Sequence, residues 1–137
     1  MMPKPRKKQS VEYRLLITPE FDDLHQHHTT LFVLETTRIF ASFRYELSVQ
    51  EQKNGKKIRY TILGLRPPQL SLPASGHAQF SSEYDHLRGT YQVEIEGLDG
   101  TVNTFSVRIG KNKVQLLKSP PAPFVEVIVD KSTWAAT

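Results

Sequence analysis

Three histidines, two aspartates and a glutamate fall within nine residues, Glu20-Phe-Asp-Asp-Leu-His-Gln-His-His28. Imidazole and carboxylate together suit Zn, Ni, Cu or non-haem Fe. Thr18, Pro19 and Glu20 read as a helix start, with Thr as cap, Pro at the first helical position and acids at the positive end of the dipole. A short helix near residues 19–28 would place Phe21, Leu24, His25 and His28 on one side, with Asp22 three residues before His25. The candidate metal ligands are therefore His25, His28 and Asp22, and a site would need a further ligand from His77 or His86. The plainer alternatives are an acidic loop and a solvated imidazole surface with His28 packed beside Leu24.

A second constellation, Tyr84-Asp85-His86, sets a carboxylate next to an imidazole close to Ser81 and Ser82. A hydrolase needs nucleophile, base and orienting acid to converge, whereas neighbouring residues of a strand point to opposite faces. No nucleophile elbow, phosphate-cradling loop, dinucleotide fingerprint or H-E-x-x-H is present. Asp85 and His86 read more simply as turn chemistry, so the expectation is a non-enzymatic protein with no cofactor. Lys4, Arg6, Lys7 and Lys8 could contact anions, either phosphates or anionic lipid, or simply keep a disordered terminus soluble. They are four of the 18 basic residues, so the remainder holds 14 basic against 14 acidic and is neutral. Nucleic acid is not the expected partner, because the aromatics Phe43, Tyr45 and Tyr60 fall on the core face and leave Arg44 and Arg59 without stacking partners. Leu63, Leu65, Leu70 and Leu72 form either a partner-facing apolar patch, with Leu70 and Leu72 as contact candidates, or a second core face.

These side chains need a scaffold, and a chain of 137 residues, 38% hydrophobic and 23% charged, suits one domain with its own core. With no cysteine, neither a disulfide framework nor a thiolate site can form, which fits a reducing compartment. The basic N-terminus lacks a following apolar run of signal type, and no run reaches transmembrane length, so a soluble cytoplasmic protein is expected.

Alternation identifies the elements. Tyr91, Val93 and Ile95 alternate with polar neighbours, as do Phe105, Val107 and Ile109, the period-two mark of half-buried strands. A three-residue loop Leu98-Asp99-Gly100 opposes Val93 to Phe105 and Tyr91 to Val107, whereas a two-residue loop would face apolar residues with polar ones. Asn54-Gly55 reads as a type I′ loop opposing Val49 to Tyr60 and Leu47 to Ile62. Further strands are expected near residues 11–17, 31–36, 38–52, 77–83 and 124–129, with a bulge near Phe40 where the alternation breaks. An amphipathic helix over residues 31–44 is the alternative reading of that stretch. Gly110 to Lys113 join Ile109 to Val114, and proline-rich crossings occupy 66–76 and 119–123.

Asp85-His-Leu-Arg-Gly-Thr-Tyr-Gln-Val93 resembles the tyrosine corner of immunoglobulin-like sandwiches, in which a Tyr after a tight corner opens the penultimate strand. That resemblance implies an immunoglobulin-like fold. The expected architecture is an all-β, antiparallel β-sandwich of about eight or nine strands over residues 11–130, with tails at 1–10 and 131–137. A closed antiparallel β-barrel is the alternative. Fold does not dictate function, so the reading is a binding or structural module that meets another protein through the 66–76 and 119–123 loops. The alternatives are metal binding at residues 20–28 and anion contact through the N-terminal tail.

Overall fold

Nine strands and one short helix make up the computed structural model, which describes residues 11–40, 45–67 and 76–135. In chain order the strands are β1 (Tyr13–Asp22), β2 (His27–Phe40), β3 (Glu46–Asn54), β4 (Lys57–Arg66) and β5 (Gly76–Asp85). Then come β6 (Gly89–Glu96), β7 (Val102–Ile109), β8 (Val114–Lys118), β9 (Val125–Ile128) and the helix α1 (Lys131–Ala135). The all-β reading holds. All nine strands belong to one sheet, in the order β8-β7-β6-β4-β3-β5-β2-β1-β9, which curls into a nearly closed barrel.

The β6–β7 hairpin has the register that alternation dictates, with Val93 opposite Phe105 and Tyr91 opposite Val107. Gly100 takes φ 86° in the loop, a conformation that costs glycine little. Gly97 N–H donates to Thr101 O at 2.8 Å, and Asp99 Oδ1 accepts the Thr101 N–H at 2.9 Å. Gly110 N–H donates to Lys113 O and closes the β7–β8 turn, with Ile109 opposite Val114.

Three expectations are corrected. Residues 19–28 form no helix: Thr18 to Asp22 continue β1, and residues 23–26 are a turn. β1 pairs with β2 from Tyr13–Thr36 through Asp22–His27, so ladder bonds outweigh the capping signals at Thr18 and Pro19. The β3–β4 hairpin turns one residue later than Asn54-Gly55, with Asn54 opposite Lys57, Val49 opposite Ile62 and Glu51 opposite Tyr60. Gly55 has φ 61° while Asn54 is not among the positive-φ residues. A type I′ loop at Asn54-Gly55 needs positive φ at both, so the turn instead places Gly55 first of its two central residues, the position at which type II′ loops favour glycine. Last, the sheet is mixed rather than purely antiparallel. β1 runs parallel to β9, β4 to β6, and β3 to β5 at one bridge. Parallel neighbours cannot be joined by a tight hairpin, and the connection from β4 to its parallel neighbour β6 runs through β5.

β2 is one strand over residues 27–40, so no helix forms at 31–40, and its pairing with β5 shifts between Glu35 and Ile39, just before Phe40. The core is built from inward positions of every strand, including Leu15, Phe32, Tyr60, Val93, Phe105 and Val125. β1 is buried on its outer face as well, at Arg14, Leu16 and Thr18. There α1 sits against β1, with Trp134 5.1 Å from the Arg14 guanidinium, and Arg14 donates to Glu35 in a buried ion pair.

Asn103 stands at a core-facing position of β7. Its Oδ1 accepts the N–H groups of Phe124 at 2.9 Å and Val125 at 3.3 Å, tying β7 to the start of β9 where the two ends of the sheet approach.

Candidate functional site

The metal-ligand candidates are brought together only in part. Asp22 ends β1, and its Oδ1 accepts the backbone N–H groups of Leu24 at 3.0 Å and His25 at 3.1 Å, while Oδ2 lies 2.8 Å from His25 Nδ1. The His25 side chain, then its backbone N–H, holds the Asp22 carboxyl below its usual range. Asp22 is therefore the staple of the β1–β2 turn. His28 lies on β2 and packs its ring 4.9 Å from Phe21, its cross-strand partner. Strand geometry turns its neighbour His27 the other way.

His27 reaches the corner after β5. Its Nε2 lies 2.8 Å from Asp85 Oδ1, a contact that raises the imidazole pKa, and its ring centroid is 6.0 Å from those of His25 and His86. Two turns at one end of the barrel are thus linked by imidazole and carboxylate, bringing His25 and His27 of the first constellation to Asp85 and His86 of the second. His77 is elsewhere, its Nδ1 2.7 Å from Thr36 O. Among the described residues, no group of three or more His, Cys, Asp or Glu is placed to hold a metal ion.

Nucleophile and base do not converge either. The Ser82 hydroxyl donates to Glu51, as does that of Tyr84, and Tyr84 Oη lies 3.0 Å from Tyr60 Oη. Burial pushes the Tyr84 phenol up to about 12 and Tyr60 further still, so both remain protonated hydroxyls that brace the barrel interior at neutral pH.

A more developed concavity lies on the outer face of β6, β7 and β8, a groove of about 620 Å³. The register aligns Gln92, Ser106 and Lys118 across three strands, with Thr90 and Thr104 beside them. Ser119, Pro120 and Pro121 line the groove beside Lys118, and Lys56 enters from the β3–β4 turn. Lys56 is fixed: its ammonium donates to Arg88 O and to Tyr91 Oη at 3.3 Å, and sits 4.5 Å from the Tyr91 ring centroid. Lys118 is exposed and makes no ion pair among the described residues. Among the described residues, no carboxylate lines the groove.

Sequence reasoning missed this site because its residues sit on the polar faces of strands that were read for their apolar faces. The usable signal was the 119–123 crossing, expected to present a partner surface and now seen to form one wall. Of the other candidates, Leu63 and Leu65 are exposed on β4. Leu70 and Leu72, the basic residues Lys4, Arg6, Lys7 and Lys8, and Phe43 and Arg44 lie outside the described residues.

No family model matches the chain, and no curated protein or solved structure matches it significantly. No described helix is long and apolar enough to cross a membrane.

Proposed function

We propose that this protein is a non-enzymatic binding module whose ligand surface is the groove over β6, β7 and β8. The observation that carries the reading is the lining: hydroxyls, one carboxamide and two lysines set among apolar surface from Tyr91, Phe105 and the proline-rich wall, with no carboxylate among the described residues. Its volume lies within the range of small-ligand sites. The donors sit mainly on strands, which hold them in place with little ordering cost on binding. Proline at 120 and 121 restricts the wall and removes two backbone donors, so contacts there rest on side chains and carbonyls.

The test is an amide chemical-shift titration of the full chain with four hexapeptides, rich in Glu, Gln, Lys or Gly. Shifts gathered at Thr90, Gln92, Thr104, Ser106 and Lys118 with at least one peptide are the expected outcome. Shifts confined to the 23–26 and 85–88 turns, or none with any peptide, would refute the reading.

A further inference from the structure

We infer that the groove selects an acidic peptide in extended form, an inference that rests on the binding-module reading and adds the ligand's chemical class. Charge comes first. Lys56 and Lys118 flank the groove, Arg108 pairs with Thr90 beside it, and all three side chains are unpaired by acids among the described residues. Glu94, on the same face opposite Thr104, is already engaged by Lys57 at 2.7 Å and Arg59 at 3.3 Å. The face is thus divided into a neutralised part and a cationic part, and the cavity opens over the cationic one. An incoming carboxylate meets cations there without displacing an existing acid.

The lining then separates anion classes. A single-stranded nucleic acid needs exposed aromatic faces on which bases stack. Tyr91 and Phe105 are the aromatics at the groove, and both are buried in the core, with Lys56 over the Tyr91 ring. An anionic membrane surface engages apolar side chains beside its cations; the row that lines the groove is Gln92, Ser106 and Lys118, and the exposed Leu116 and Leu117 next to Lys118 lie outside the lining. A peptide uses what is present. Its carboxylates meet the ammonium groups, and its backbone amides meet the Ser and Thr hydroxyls and the Gln92 carboxamide. The row from Gln92 to Lys118 crosses three strands, roughly 10 Å at the usual strand spacing, which about three extended residues span.

The experiment is a calorimetric titration of the full chain with acetylated, amidated hexaglutamate, with hexaglutamine as control, at low and at physiological salt. Hexaglutamate is expected to bind at least about tenfold more tightly than hexaglutamine, and to weaken several-fold as salt rises past the point where the Debye length nears 8 Å. Lys118→Glu should abolish most of that binding with an unchanged melting temperature, and Lys118→Arg should retain it. Lys118 carries the variant because its side chain has no structural hydrogen bond among those described. Because the sequence also offers a polyanion the basic residues at 4–8, the comparison is made within the same full chain, where only position 118 changes. Equal binding of the two peptides would overturn the acidic preference while leaving the groove reading standing. Binding by neither would overturn the acidic preference, and the groove reading falls with it only where the Lys- and Gly-rich peptides also fail to bind; hexaglutamate binding untouched by Lys118→Glu would move the contact away from the groove. Anionic phosphatidylserine vesicles that bind in a Lys118-dependent way while hexaglutamate does not would assign the surface to membranes instead.

Discussion

His27 shows how one side chain can join two distant turns. It sits on β2 and Asp85 ends β5, 58 residues apart in sequence, yet their polar atoms lie 2.8 Å apart. The contact favours the imidazolium, so the folded-state pKa stands above the ordinary value of about 6.5. Protonation therefore favours the linked turns. That contribution is fully present below the unfolded pKa and fades as pH rises through the raised folded value. A proton–nitrogen NMR titration should place the His27 midpoint above the ordinary imidazole range, and Asp85→Asn should bring it down. A midpoint indifferent to that substitution would remove the contact from the account. His27 was legible in the sequence only as part of a dense local cluster. Ligand-type spacing along a chain says which groups are abundant, whereas which of them meet is decided by turns and strand pairings far away, here the β2–β5 ladder.

The elements were legible wherever local chemistry and face alternation agreed. In the β6–β7 hairpin the glycine loop and two apolar rows demanded one register, and that register forms. At the β3–β4 turn both candidate registers keep apolar residues on one face, since a shift of one residue in each strand preserves parity. Alternation was silent there, and the backbone of residue 55 decided. The helix read at 19–28 failed for a different reason, because its caps are local signals of about 1 kcal/mol each and the ten-residue pairing of β1 with β2 outweighs them. Asn103 is a polar residue in an apolar row, and in the structure its side chain binds two backbone N–H groups where β7 meets β9. Asn103→Leu fills the same core position and abolishes both acceptor contacts. It should destabilise the fold by about 2–4 kcal/mol, read from the midpoint of urea denaturation at constant slope. A neutral effect would mean that apolar packing alone holds this junction.

At the scale of the whole molecule, a single mixed sheet replaces the purely antiparallel arrangement, and that change creates the candidate site. The parallel pairing of β4 with β6 brings the β3–β4 turn, and with it Lys56, to the edge of the β6–β7–β8 face. β9 returns beside β1 by way of the proline-rich crossing, which leaves Ser119 to Pro121 standing as the far wall. Such pairings join segments whose order in space is not encoded in local periodicity, which is why a sequence that disclosed its strands kept their order hidden. The groove is therefore a property of topology, assembled from polar positions that no motif connects. Its standing as the binding surface is tested most directly with hexaglutamate carrying a nitroxide spin label at its N-terminus, added to the isotope-labelled full chain. The account predicts selective broadening of the Thr90, Gln92, Thr104, Ser106 and Lys118 amides, lost in Lys118→Glu. Broadening centred on residues 23–28 and 85–87, or spread evenly over the barrel, would contradict it.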